Sequence, residues 1–287
     1  MKLFKLNVNT NEVFKLNVNN YERQTNKQEP YFNENNNGIK HFAVCPACNN
    51  PIIIVNLYVK KTKDEKNNKS LHGRHYKNSI KGLADYNEEN YESCPFSNPQ
   101  SFSKVEKRVN IEKRNEILSL IKVYPHILYN FIRDITKVNF SENKFAELVG
   151  NFMKLEGYYY IYINKFNLPY SFLNMQKSIN LYSQILYPNT EIIKSINDSK
   201  YFKVSNYNMI EKKVPDFATI GLYLANHKLN SSSDEFIDVV IYEKASKDNK
   251  ENIVYQKTIE INHTKFISFI NKEAKLRSIV NRYIKKE

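Results

Sequence analysis

The sequence predicts an α+β protein: an N-terminal β-hairpin with a cysteine-bearing module, a central helical region, and a C-terminal antiparallel sheet with a closing helix. Three observations carry this. Large apolar residues alternate with polar ones over residues 4–9 and 14–19, and short strand-like runs return after residue 200; alternation is the period of half-buried strands. Between residues 105 and 186 apolar residues recur at helical intervals instead. All three cysteines lie in one polar stretch, from Cys45 to Cys94. A chain of 287 residues holds two modest domains, or one large domain with an appended module. The expected division is 1–100, 101–198 and 199–287, the last two able to form one domain.

Residues 4–9 and 14–19 are the same hexapeptide, Phe-Lys-Leu-Asn-Val-Asn. With Asn9-Thr10-Asn11-Glu12 as turn chemistry between them, they predict a hairpin. One duplication is not a repeat architecture, which needs about three units to bury a continuous core. Residues 19–38 are rich in Asn and Gln and read as a linker. Phe42-Ala43-Val44 and Ile52-Ile53-Ile54-Val55 then flank Cys45-Pro46-Ala47-Cys48, so two short strands are expected on either side of a tight turn. The loop from Lys60 to Lys81 is basic and gives way to an acidic run before Cys94.

Ser103 and Glu106 have the spacing of a capping box, with Val105, Val109, Ile117, Leu118 and Ile121 following up to Tyr124-Pro125. A second helix carries Ile127, Leu128, Phe131, Ile132 and Ile135. Ser141 caps a third, with Phe145, Leu148, Val149, Phe152 and Met153. Gly157 interrupts it before the run Tyr158 to Tyr162, which continues the helix or forms a buried strand. Pro169 suits the first turn of a fourth helix using Phe172, Ile179, Tyr182, Ile185 and Leu186. After Pro188 the expectation is β throughout: 201–204, 217–229, 236–242 and 253–261, joined by short polar turns that favour antiparallel connections. The last helix holds Phe266, Ile270, Leu276, Ile279, Val280 and Tyr283 and is basic towards its end.

The formal charge is +13, from 43 basic and 30 acidic residues. Such a field attracts phosphate backbones or anionic surfaces and says nothing of fold. No apolar run approaches the ~20 residues a membrane span requires. The first residues lack the continuous apolar core and small-residue cleavage site of a secretory signal. Three cysteines, two of them in a Cys-x-x-Cys, fit metal binding in a reducing compartment better than a disulfide framework. A cytoplasmic location is therefore expected, with no membrane partner.

Zinc takes four N/S ligands tetrahedrally, and a Cys-x-x-Cys turn supplies two of them. Cys45 and Cys48 are that pair, Cys94 is the third ligand, and a histidine from the middle loop completes the set. His75 is the first choice because it precedes apolar Tyr76; His72 is the alternative, and His41 is more distant. The cysteine-bearing module thus reads as a zinc knuckle. A closed Cys3His shell leaves no vacant position, so the zinc would be structural. Redox use of the pair is disfavoured because no βαβ pattern surrounds it.

Enzyme signatures are missing. There is no Walker A loop, GxGxxG, GxSxG or HExxH, and six glycines leave little for phosphate-cradling loops. Pro215-Asp216 with Glu243-Lys244 comes nearest to a two-acid, one-lysine metal nuclease core. The adjacent Glu and Lys would point to opposite faces of a strand, so the spacing fails. The leading expectation is a zinc-containing protein associated with nucleic acid, DNA or RNA. Lys60, Lys61, Arg74 and Lys77, together with Lys275, Arg277 and Arg282 in the last helix, are the expected phosphate contacts. The alternatives are a protein-interaction or adaptor subunit of a bacterial or mobile-element complex, and a metal-dependent nuclease whose site the motifs do not reveal.

Overall fold

A computed structural model describes residues 1–35, 38–59, 70–102, 105–188, 190–213, 217–230, 234–245 and 250–284. The chain forms two compact units. The first comprises Met1–Gln100, Leu229–Asp234 and His263–Glu287, and the second Ser101–Lys228 and Glu235–Asn262. The architecture is α+β, with antiparallel pairing in both units.

In the first unit, β1 (Leu3–Phe4) pairs antiparallel with β2 (Phe14–Lys15), so the predicted hairpin exists but is short. The two identical hexapeptides end differently. In the first, the Asn7 side chain accepts from the Asn9 backbone N–H at 2.9 Å and closes a turn. In the second, Asn17 accepts from Asn20 N–H at 2.8 Å and caps α1 (Val18–Thr25). The next residues decide the outcome. Tyr21 is fully buried and its hydroxyl donates to the Phe42 carbonyl at 2.7 Å, whereas the matching place after the first copy holds polar Asn11. Part of the expected linker is therefore helix, and another part, Phe32–Asn35, is strand.

β3 (Phe32–Asn35), β4 (Gly38–Val44), β5 (Pro51–Val55) and β6 (His72–His75) form one antiparallel sheet in that order. Lys5 and Val44 exchange both backbone hydrogen bonds at 3.0 Å, so the first hexapeptide braces the end of β4. Phe4, Leu16, Tyr21, Ala43, Ile52 and Ile54 share one buried cluster with all three cysteines. The short helix α2 (Glu88–Glu92), capped by Asn87, leads to Cys94.

The second unit begins with α3 (Ile111–Val123), α4 (Pro125–Thr136), β7 (Val138–Asn139) and α5 (Glu142–Lys154). Ser141 caps α5 as expected, accepting from Lys144 N–H at 3.2 Å. The expected cap Ser103 lies outside the described residues. α3 starts later than its apolar spacing suggests, with Asn110 as its cap. Val105 and Val109 are 80% and 90% exposed, on an extended segment whose Lys107 bridges Tyr160. The tyrosine run is neither helix nor strand. It opens with a single 3-10 turn, Gly157–Tyr159, followed by that bridge. Gly157 is compulsory here, since a Cβ would lie 2.2 Å from a ring carbon of Phe152.

α6 (Leu168–Asn174) has Pro169 in its first turn but stops early. Ile179 and Ile185 instead enter β8 (Ile179–Asn180) and β9 (Ile185–Leu186), which pair with later and earlier strands. The all-β expectation after Pro188 misses α7 (Glu191–Asp198), whose Ile192 and Ile196 are buried one turn apart. Beyond it come β10 (Phe202–Val204), β11 (Ile210–Lys212), β12 (Ala218–Leu229), β13 (Glu235–Ala245) and β14 (Asn252–Glu260). The larger sheet has the order β14-β13-β12-β8. The closing helix α8 (Lys265–Ile284) belongs to the first unit. Among the described residues no helix is long and apolar enough to cross a membrane.

Candidate metal centre

Three separate segments deliver the site. The turn between β4 and β5 carries Cys45 and Cys48. Cys45 N–H donates to the Asn50 carbonyl at 2.8 Å, and Asn49, in the left-handed region at φ 64°, donates its N–H to the Cys45 carbonyl at 3.1 Å. β6 ends on His75, whose cross-strand partner is Ile52. The next residue, Tyr76, packs its ring 5.3 Å from Phe42 and so anchors the end of that strand. Cys94 follows α2 immediately: its N–H donates to the Tyr91 carbonyl at 3.1 Å, and its carbonyl accepts from the Ser97 hydroxyl at 2.9 Å.

Cys45, Cys48, His75 and Cys94 converge so that one ligand atom from each lies within 4.8 Å of all the others. Cys45 Sγ and Cys94 Sγ are 3.7 Å apart, and His75 Nε2 is 3.3 Å from Cys48 Sγ and 3.5 Å from Cys94 Sγ. The sulfurs are far beyond disulfide length. Ligands about 2.3 Å (sulfur) and about 2.0–2.1 Å (nitrogen) from a common zinc put the edges of a regular tetrahedron at about 3.8 Å for S···S and about 3.6 Å for S···N. The three short edges lie within about 0.3 Å of these values and the other three within 4.8 Å, so the four residues could hold a metal ion, and the donor set suits zinc.

Pressed together, the three thiols titrate unequally. Hydrogen bonding from Cys45 and Cys94 holds the Cys48 thiol far below its ordinary value. Burial pushes Cys45 well above it. The Cys45 hydrogen bond pulls Cys94 down, but its bond to Cys48 and burial outweigh that and raise it to about 12. One charge is tolerated and three are not, unless a cation sits among them.

Strand alternation separates the two candidate histidines. His75 and Gly73 share the face of Ile52 and Ile54, towards the buried cluster, whereas His72 and Arg74 occupy the other face. His72 is outside the four-residue group, and its Nδ1 bonds the Ser70 carbonyl at 2.8 Å. His41 stands among the rings of Phe32 (4.5 Å), Tyr58 (5.5 Å) and Tyr21 (6.2 Å), with its Nδ1 buried and unpartnered.

Two further residues border the site. The Tyr91 ring meets His75 edge-on at 5.2 Å and carries Lys77 Nζ 4.7 Å above its face. Asn50, fully buried, donates from Nδ2 to Cys48 Sγ at 3.4 Å and to the Asn87 carbonyl at 2.9 Å. Its Oδ1 accepts from Asn87 N–H at 2.6 Å. Sequence reasoning missed Asn50, because its partner lies 37 positions away in a chain where Asn is abundant.

Of the expected phosphate contacts, Arg74, Lys77, Lys275, Arg277 and Arg282 are exposed, with Arg277 Nε 3.0 Å from Glu273. Lys60 and Lys61 lie outside the described residues, as does Asp216. Glu243 is not free for catalysis. Its buried carboxylate accepts from Lys200 N–H (3.2 Å), Tyr201 N–H (3.1 Å) and Asn252 Nδ2 (3.0 Å), holding the loop after α7. No protein-family model, curated protein or solved structure matches the chain.

Proposed function

We propose that the protein is a zinc-braced, nucleic-acid-associated protein whose metal is structural. The observation that carries the metal reading is the convergence of three sulfurs and one imidazole nitrogen to within 4.8 Å of one another, three of the distances being 3.3–3.7 Å. Cys45, Cys48, His75 and Cys94 would hold the ion through Sγ and Nε2, and four protein ligands leave no position for a substrate. Bound zinc supplies cross-linking energy, about 10–16 kcal/mol in small zinc modules. Here it would tie the β4–β5 turn, the end of β6 and the segment after α2 into one core. The thiolate ligands fit a reducing, cytoplasmic setting.

The nucleic-acid part of the reading rests on the +13 charge and on the exposed Arg74, Lys77, Lys275, Arg277 and Arg282. Contacts of this kind are made to phosphate, so binding falls as salt rises. The test is fluorescence anisotropy with labelled single- and double-stranded DNA and RNA over a salt series. Replacing Arg277 and Arg282 together by Gln should flatten the salt slope by about two counterions. Absence of binding at low salt refutes the nucleic-acid reading and leaves the metal reading standing.

A protein-interaction role is the second reading, and α8 favours it. Leu276, Ile279, Val280 and Tyr283 stand at i, i+3, i+4 and i+7, the anchor pattern of helix-in-groove recognition. Leu276, Val280 and Tyr283 are exposed. Lys275, Arg277 and Arg282 on the same helix suit a partner whose apolar groove has an acidic rim. A Leu276→Asp, Val280→Asp variant that keeps nucleic-acid binding but loses a stoichiometric co-purifying protein supports this reading.

A further inference from the structure

We propose that Asn50 is a positioning residue of the metal centre, which orders two of the ligand segments and directs a hydrogen bond onto the Cys48 thiolate. This rests on the metal reading above. The orientation of the amide is fixed by its surroundings. Asn87 N–H can only donate and must face Oδ1 (2.6 Å), while the Asn87 carbonyl can only accept and must face Nδ2 (2.9 Å). The side-chain amide thus pairs with both the N–H and the C=O of Asn87, as a residue of a neighbouring strand would. One Nδ2 hydrogen is used there, and the other is left for Cys48 Sγ at 3.4 Å.

Two consequences follow from that geometry. Asn87 caps α2 by accepting from Asn90 N–H at 2.8 Å, and α2 leads directly to Cys94. Asn50 itself follows the Cys-x-x-Cys turn and accepts from Cys45 N–H through its carbonyl at 2.8 Å. It therefore registers the segment of Cys45 and Cys48 against that of Cys94 over a sequence distance no local interaction spans. The second consequence is electronic. A divalent ion with three thiolates and a neutral imidazole carries one net negative charge, spread over sulfur. An N–H donor to sulfur lowers that electron density, and outer-shell bonds of this kind typically govern about 10- to 100-fold in metal affinity. Cys48 is the most exposed of the three cysteines, so it is the ligand with most to gain from a protecting donor. The pairing with Asn87 leaves the second Nδ2 hydrogen buried, and Cys48 Sγ is the acceptor it meets. Leaving it without a partner carries a desolvation cost.

The experiment uses the full chain loaded with cobalt(II) or with cadmium-113. In the wild type, the one Asn50 Nδ2 proton that faces Cys48 Sγ should correlate with the cadmium nucleus through the N–H···S–Cd bridge in a heteronuclear NMR experiment. Asn50→Asp keeps the acceptor for Asn87 N–H but replaces the donor to both Cys48 Sγ and the Asn87 carbonyl. Asn50→Ala removes acceptor and donor alike. Both variants should shift the sulfur-to-cobalt charge-transfer band to longer wavelength, because the sulfur lone pair rises in energy when its hydrogen bond is lost. Zinc affinity should fall by about 10- to 100-fold. Metal uptake by wild type and variants with an unmoved cobalt band, or a wild type with no amide–cadmium correlation, overturns the role of Asn50 alone. A wild type that takes up neither cobalt nor cadmium overturns the metal reading as well. The correlation needs only the wild type, so the test survives a variant that does not fold.

Discussion

Replacing each of the two histidines of β6 by alanine separates a ligand from a bystander. His75 contributes Nε2 at 3.3 Å and 3.5 Å from two cysteine sulfurs, so His75→Ala removes one of four donors. Shared over four ligands, an apparent zinc-binding energy of about 10–16 kcal/mol gives about 2.5–4 kcal/mol per ligand. A water can enter a half-exposed position and return part of this. The expected loss is about 2–4 kcal/mol, or about 30- to 900-fold in zinc affinity. His72→Ala removes only the Nδ1 bond to the Ser70 carbonyl on the opposite face of the strand. Its effect should stay within about 0.5 kcal/mol, near twofold. Competition for zinc against a chromophoric chelator measures both variants in one assay. Equal losses, or a larger loss in His72→Ala, would refute the assignment of faces on β6 and with it the ligand set.

Metal removal should act locally. Chelation is expected to abolish amide hydrogen-exchange protection in residues 41–55 and 70–97 while β12, β13 and β14 keep theirs; unchanged protection throughout would show that the ion does not brace the first unit. Gly73→Ala should destabilise by about 1–3 kcal/mol through overpacking, since the new Cβ would lie 3.0 Å from Ile52 Cδ1 and 3.3 Å from Met1 Cγ. A melting temperature equal to the wild type would contradict that packing. Glu243→Ala removes the buried acceptor of three hydrogen bonds; Lys200 and Asn252 are exposed and can turn to water, whereas Tyr201 N–H is half-buried, so the cost is about 1–3 kcal/mol in all. It should lower the thermal midpoint and leave zinc content unchanged; loss of zinc in this variant would mean that the second unit bears on the site.

Much of the metal centre was legible because its chemistry is carried by rare residues. Three cysteines in 287 residues cannot be arranged in many ways, and a Cys-x-x-Cys turn between two apolar runs defines its own geometry. The choice of His75 over His72 followed from Tyr76, and the structure adds the stronger reason that the two histidines face opposite sides of one strand. Asn50 was not legible, because nothing local distinguishes it from the many other asparagines. Of the larger sheet, β12, β13 and β14 were legible from their apolar content and the turns between them, whereas Ile179 of β8 carries the spacing of a helix.

The failures have physical causes. α7 is only two turns long, and the hydroxyl of its cap Thr190 donates back to the Tyr187 carbonyl at 3.3 Å instead of capping the helix, so it lacks both a sustained period and a start signal. Val105 and Val109 have helical spacing yet stay extended, because the backbone there pairs with the tyrosine segment: Arg108 N–H donates to the Tyr159 carbonyl at 2.7 Å. The repeated hexapeptide shows the same limit most plainly. One sequence closes a turn at Asn7 and caps a helix at Asn17, according to whether a core-filling tyrosine follows.

The most direct measurement is the metal content of the purified protein and of Cys45→Ser, Cys94→Ser and His75→Ala, by plasma mass spectrometry. One zinc per chain is expected in the wild type, with a marked loss in each variant. A wild type without zinc, or stoichiometric zinc retained in all three variants, would contradict that expectation.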